Sequence, residues 1–247
     1  MINAVEYLTS LEGRARLRAS GLELIVDLDD TLISNQSLFL DAAQQLGAIF
    51  QQLSGGRDPG ELLAEHAAFD VGLIGQLGLT PLRWRASALG FASQLKGAAL
   101  TVEEIAAVLE AAEIGLLIGE PLTGAIATLE LLREEQVPVI LVTRGDETKQ
   151  REKIHVHGLD DLVAGVEIVS AKDAGTFAAV AQKHGLRSPV SIGDSLRSDI
   201  YPAMEAGFQA VHITSAPNAG WDTGHHADDQ VPGAPTLADA VLVALAG

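Results

Sequence analysis

The sequence has no cysteine in its 247 residues, which excludes disulfides, zinc-thiolate sites and thiol nucleophiles and removes any sign of an oxidising compartment. It is also poor in positive charge, with 16 Lys plus Arg against 33 Asp plus Glu and a net charge of −17. Such a surface repels phosphate backbones and anionic membranes, so neither nucleic acid nor a membrane is an expected partner. An anionic ligand would need a local gathering of the few cations, or a metal ion. No run approaches the roughly 20 apolar residues of a membrane span. The opening MINAVEYLTSLEGRARLR carries Glu6 and Glu12 and no unbroken apolar stretch. It reads as a leading surface helix rather than a signal peptide, and a cytoplasmic location is the resulting expectation.

What is present is concentrated in LIVDLDDTLI, residues 24–33. Leu24, Ile25 and Val26 form a short apolar run of the kind found in the centre of a parallel sheet. Asp27, Asp29 and Asp30 follow it directly. Residues 35–119 then look almost wholly helical. Phe39, Ala42, Leu46, Ile49 and Leu53 make one amphipathic stripe, Leu62–Phe69 and Arg83–Leu95 read as helices, and Thr101 with Glu104 is a capping box for a helix starting at Val102. From Pro121 the texture alternates. The pattern predicts helices over 122–135, 174–184 and 200–206, and strands over 137–142, 164–169, 190–192 and 210–213. Repeated βα units imply a Rossmann-like three-layer α/β sandwich with a parallel sheet, and ligands in such folds bind beyond the carboxyl ends of the strands. The expected domains are an α/β core from 1–34 and 118–247 and a helical insert from 35–117.

The residues just past the strands form an active-site inventory. Asp27, Asp29 and Thr31 follow the first strand, Thr143 and Arg144 the second, Lys172 the third, and Asp194, Ser195 and Asp199 the fourth. Clustered carboxylates need a cation among them, and all-oxygen ligation suits Mg²⁺ completed by a substrate phosphate, with a hydroxyl and a lysine on the remaining phosphoryl oxygens. A calcium loop also begins Asp-x-Asp, but Leu32 stands where such a loop needs Gly and Leu38 where it needs Glu. Alone, the acidic triplet reads equally well as a solvated turn; the convergence of four strand ends argues otherwise.

At these positions the sequence resembles the haloacid dehalogenase superfamily. Asp27-Leu28-Asp29-Asp30-Thr31 is similar to its first motif, Thr143 to its second, Lys172 to its third, and Gly193-Asp194-x-x-x-x-Asp199 to its fourth, over residues 22–35 and about 119–215. The resemblance implies Asp27 as nucleophile, Asp29 as general acid and base, and Mg²⁺ held by the Asp27 side chain, the Asp29 main-chain carbonyl and Asp194. Thr143, Arg144 and Lys172 would bind the phosphoryl group, with Thr31, Ser195 and Asp199 behind them. It also implies that residues 35–117 form a cap, which would close over the crevice and choose the substrate. Dehalogenases that resemble this fold lack an acid at the position of Asp29, so a phosphatase acting on a small phosphorylated metabolite is expected. A phosphomutase of the same superfamily is the nearest alternative, and a non-catalytic phosphate-binding module the rival of another class. Oligomeric state cannot be read from these residues.

Weaker signals complete the reading. Arg83-Trp84-Arg85 in the insert would suit an anionic or ring-bearing leaving group, against the plainer reading of a half-buried Trp flanked by solvated charges. His155 and His157 fall on different faces of a helix and suit surface or packing roles. His225 and His226, near Asp228 and Asp229, have metal-ligating side chains but lie in a Gly/Pro-rich loop spanning 215–235.

Overall fold

The computed structural model describes residues 3–215 and 231–246. The chain divides into two compact units, Met1–Ser34 with Glu120–Gly247, and Asn35–Gly119. His225, His226, Asp228 and Asp229 lie outside the described residues.

Among the described residues the first unit is built on six parallel strands, β1 Leu24–Val26, β2 Val139–Arg144, β3 Gly165–Val169, β4 Val190–Gly193, β5 Gln209–Ile213 and β6 Gly233–Ala234. Their order is β3-β2-β1-β4-β5-β6. Two helices precede β1, α1 Ala4–Thr9 and α2 Leu11–Ser20. Five make up the insert, α3 Gln36–Leu53, α4 Pro59–Gly72, α5 Ile74–Leu77, α6 Pro81–Lys96 and α7 Val102–Ile114. Among the described residues five more α-helices follow, α8 Ala125–Glu134, α9 Glu147–Val156, α10 Ala174–His184, α11 Tyr201–Glu205 and α12 Leu237–Ala246. Among the described residues no helix is long and apolar enough to cross a membrane.

Alternation along the central strands builds both faces of the sheet, because successive side chains of a strand point to opposite sides. Leu24, Val26, Val139 and Leu141 pack in one cluster with residues of α1, α2, α8, α9 and α12. Ile25, Ile140 and Val142 pack in another with Phe177 and Val180 of α10 and Ala203 of α11. With both faces covered, β1 is apolar throughout, and the first position free to carry charge is the residue after it, Asp27.

The leading segment differs from the expected surface helix. Ser10 is extended and its hydroxyl accepts from the Gly13 N–H at 3.1 Å, so the chain turns there into two helices. A Cβ at Gly13 would overlap the α1 backbone, so glycine is what lets the two cross so closely. Leu8 and Leu17 are fully buried in the sheet unit's core, each contributing about 1.5–3 kcal/mol by the usual scale for such burial. Arg14 and Arg18 pair with Glu135 at the end of α8. The arginine-rich segment therefore docks on the domain through Leu8 and Leu17 and through these ion pairs.

The insert has its own core. Phe50, Phe91 and Trp84 surround His66, whose Nε2 lies 2.9 Å from the hydroxyl of Ser87. Burial pushes the His66 imidazole down to about 4; the Asp70 carboxylate opposes this and the Arg83 guanidinium adds to it. Because the unfolded chain takes up this proton near the ordinary value of 6.5, it binds more protons than the fold between pH 6.5 and 4. Stability is then expected to fall as pH drops through that window, by up to roughly 3 kcal/mol at about 1.4 kcal/mol per unit. Thermal unfolding at pH 7 and pH 5 measures it, and His66→Gln should flatten the slope.

Candidate active site

Each expected strand-end residue is placed by the element before it. The Asp27 N–H donates to the carbonyl of Ile192 on β4 at 3.0 Å, continuing the parallel ladder one residue past β1. The chain then turns sharply. Asp30 adopts a left-handed conformation (φ 61°), which an Asp tolerates better than most side chains, and its N–H returns to the Ile33 carbonyl at 2.7 Å. Asp27 and Asp29 thereby project from one compact loop at the carboxyl edge of the sheet.

Lys172, expected from the sequence to bind the phosphoryl group, lies past β3. Its side chain is 4% exposed; the ammonium pairs with Asp27 and sits 2.6 Å from Asp199 Oδ1. Asp199 is fixed from three sides. It accepts from the Ser195 N–H at 3.1 Å through Oδ2, and its main-chain carbonyl accepts the Ser191 hydroxyl at 2.9 Å. A Cβ at Gly193 would overlap the Asp199 side chain. Glycine at the end of β4 is what allows that carboxylate to fold back over the strand. Asp194, the next residue, has its carbonyl held by His212 Nε2 of β5 at 2.8 Å; a carbonyl only accepts, so that nitrogen carries the proton.

Carboxylate oxygens of Asp27, Asp194 and Asp199 lie within 4.8 Å of one another. The electrostatics show the strain of that grouping. Burial pushes the Asp27 carboxyl up to about 7, with Asp199 and Asp29 adding to the rise and Lys172 opposing it. Burial, then Asp27, Asp199 and Asp30, pushes Asp194 up to about 9. Lys172 is held charged: burial works against its ammonium, but Asp199 and Asp27 outweigh it. One lysine does not neutralise three carboxylates. A hard, oxygen-only donor set with excess negative charge suits a small divalent cation such as Mg²⁺, so the residues present fit the expected ion. Asp199 belongs to this group directly rather than only standing behind it, and Asp30 adds to its negative field.

Asp29 is placed apart. Its carboxylate turns to α9, where Lys153 Nζ lies 2.7 Å from Oδ1 and Gln150 Nε2 donates to Oδ2 at 2.9 Å. The same Gln150 amide donates to Thr143 Oγ1 at 2.5 Å. Thr143 is buried near the end of β2, whose first five residues are all buried. Neither Gln150 nor Lys153 was expected from sequence. The one available signal was helical spacing: Gln150 lies four residues before the buried Ile154, hence on the same face.

Other expectations change. The Thr31 hydroxyl is buried and has no hydrogen-bond partner among the described residues, so it does not order the turn by hydrogen bonding. Arg144 is exposed at the end of β2 and forms no ion pair with these carboxylates among the described residues. The insert's Arg83, Trp84 and Arg85 are engaged within their own unit. Arg83 is buried against Asp70, correcting the picture of a solvated flank. Trp84 is buried, donates from Nε1 to the Ala112 carbonyl at 2.8 Å and meets Phe39 edge-on, 5.1 Å between ring centroids. Arg85 pairs with Glu113. These roles are packing and surface pairing. His155 is an exposed partner of Asp160 at 3.6 Å, and His157 ends α9.

The family model described as haloacid dehalogenase-like hydrolase matches residues 24–207. The chain belongs to that family. The match runs through the insert as well as the sheet unit, where the motifs alone had covered only the latter. Among solved structures, a haloacid dehalogenase-like family hydrolase from Xanthomonas campestris is 26% identical, with a TM-score of 0.70 over 91% of this chain and 96% of its own. A 2-haloacid dehalogenase from Pseudomonas syringae pv. Tomato is 19% identical, TM-score 0.57, covering 91% and 98%. A HAD phosphatase from Thermococcus onnurineus is 21% identical, TM-score 0.55, covering 90% and 97%. The last two share the fold, and fold alone does not separate carbon–halogen from phosphate-ester chemistry. Among proteins with curated descriptions none matches the sequence. The family makes the chain a hydrolase; its substrate must be argued from the site.

Proposed function

We propose that this hydrolase is a Mg²⁺-dependent phosphatase that cleaves a small phosphorylated metabolite through an aspartyl-phosphate intermediate. The observation that carries the reading is the second carboxylate, Asp29, two residues beyond Asp27 yet turned to donors of its own. A halide departs without a proton. An alkoxide leaving from phosphorus needs one, and a carboxyl beside the nucleophile but outside the acidic cluster is suited to give it.

In this reading an Asp27 oxygen attacks phosphorus, the bond from phosphorus to the ester oxygen breaks, and Asp29 delivers the proton that the leaving oxygen takes. Asp29 then accepts a proton from the water that attacks the phosphorus of the aspartyl phosphate, and Asp27 is released as a carboxylate. Lys172 and the Thr143 hydroxyl hold the equatorial phosphoryl oxygens; in a loose phosphoryl-transfer transition state, positioning and charge stabilisation supply most of the acceleration. Mg²⁺, held by Asp27, Asp194 and the main-chain carbonyl of Asp29, with Asp199 alongside, would supply positive charge against the phosphoryl group. Lys172 meanwhile opposes the rise that burial imposes on the Asp27 carboxyl.

A panel of phosphate esters and a 2-haloacid, each with Mg²⁺, tests the reading. Inorganic phosphate released from at least one ester, with no halide from the haloacid, is the expected result. Halide release would overturn it in favour of a dehalogenase, isomerised sugar phosphate without free phosphate would establish a mutase, and inertness across the panel would favour a binding module.

A further inference from the structure

The buried face of α9 is polar where a packing helix would be apolar. Its sequence, ETKQREKIHV, buries Gln150, Lys153 and Ile154. Ile154 joins the sheet unit's apolar core; the other two do not. Burying an ammonium and a primary amide costs free energy unless each meets a matched partner. Here the partners belong to the site: Lys153 takes one oxygen of Asp29 and Gln150 the other, so the carboxylate is gripped at both oxygens from one helix. Gln150 also reaches Thr143. It lies across Gly145, where a Cβ would stand 3.3 Å from both Gln150 Cγ and Cδ. The backbone between β2 and α9 is therefore small at the place the amide has to cross.

We propose that Gln150 and Lys153 are positioning residues for the acid/base step, fixing the Asp29 carboxylate in one rotamer and tying its placement to that of Thr143. The inference rests on the phosphatase reading and goes beyond it, because that reading requires only that Asp29 be near. A carboxyl one rotamer away from the leaving oxygen cannot pass its proton, and a misplacement of about 1 Å is enough to cost on the order of 100-fold. Simple structural pairing of Lys153 with Asp29 would stabilise the fold and leave the chemistry of the leaving group untouched.

That difference defines the experiment. With Mg²⁺ present, kcat/KM is measured for p-nitrophenyl phosphate, whose leaving group hardly needs a proton, and for a series of aryl and alkyl phosphates of rising leaving-group pKa. The wild type is compared with Lys153→Met, Gln150→Met and Lys153→Arg, and thermal midpoints are recorded for all. Lys153→Met and Gln150→Met should lose about 100-fold on the alkyl esters but less than about 10-fold on p-nitrophenyl phosphate, so the dependence on leaving group steepens. Lys153→Arg should restore most of the loss. In an Asp29→Asn background, Lys153→Met should cost nothing further in kcat/KM, because a residue acting through Asp29 has no other route to the reaction. Equal losses across the series, or equal losses with and without Asp29, would overturn the positioning role while leaving the phosphatase reading intact. A wild type that releases phosphate from none of these esters would overturn both. If Lys153→Met does not fold, the neutral Gln150→Met decides between the same outcomes.

Discussion

Asp27→Asn is expected to lower phosphate release by on the order of 10⁴-fold or more, with its thermal midpoint unchanged or raised. The loss follows from the chemistry: an amide oxygen in place of the carboxylate is a far poorer nucleophile for phosphorus, and the two-step route through a covalent intermediate disappears. The unaffected stability follows from the surroundings. Asp27 is a buried carboxyl whose charge is disfavoured first by burial and then by Asp199 and Asp29. A neutral side chain of the same shape relieves that repulsion. Lys172 is not stranded by the change, since Asp199 Oδ1 stays 2.6 Å away. Phosphate release that survived Asp27→Asn, measured beside a denaturation curve showing intact protein, would remove Asp27 from the role of nucleophile.

The second large effect is that of the metal. Saturating Mg²⁺, at about 100 times its dissociation constant, should stabilise the protein by about 2.7 kcal/mol, which for a chain of this size raises the thermal midpoint by roughly 5–10 °C. The reason is the charge count at the carboxyl edge of the sheet, where, among the described residues, Asp27 and Asp199 share the ammonium of Lys172 and Asp194 lies beside them. Asp194→Asn removes one donor and one negative charge together. It is expected to raise the midpoint of the metal-free protein and to abolish most of the Mg²⁺-dependent shift. Chelation of the wild type should abolish phosphate release, and Mg²⁺ should restore it. A wild type whose midpoint ignores Mg²⁺, or an Asp194→Asn variant that keeps the full shift, would mean that the ion is not held at this cluster.

The strand-end residues to which the proposed function gives the roles of nucleophile, phosphate ligand and metal ligand could be gathered from the sequence because each follows a stretch that reads as a strand. In a parallel sheet the ends of β1, β2, β3 and β4 come to one edge, so Asp27, Thr143, Lys172 and Asp194 were placed together by topology before any contact was known. Helix boundaries were legible where a cap marks them, as at Thr101, whose hydroxyl and the Glu104 side chain form the expected reciprocal pair. Where the cap is not a side chain the boundary slipped. The helix expected from 122 begins at Ala125, after Gly124 in a left-handed conformation. Four of the insert's helices, α3, α4, α6 and α7, carry enough apolar periodicity or capping to be found, while the four-residue α5 does not; the pattern around Trp84 does not say that Arg83 turns inward to Asp70.

What was not legible in the site shares one physical feature: a polar side chain placed by a partner distant in sequence. Lys153 sits among Lys149, Arg151 and Glu152, and nothing local says which of these charges points inward; its partner Asp29 is 124 residues away. His212 reads as an ordinary strand residue until β5 is placed beside β4, where it reaches the Asp194 carbonyl. β6 has two residues, too few for any period. In α12 the run of Leu, Ala and Val is as compatible with a buried strand as with a helix.

The most direct measurement is a rapid acid quench of the wild type during turnover of p-nitrophenyl phosphate with Mg²⁺, followed by mass analysis of its peptides. The account predicts one phosphoryl group on Asp27, formed at the rate of nitrophenol release and absent from Asp27→Asn. A phosphoryl group on any other residue, or full turnover at Asp27→Asn with no covalent adduct at all, would contradict it.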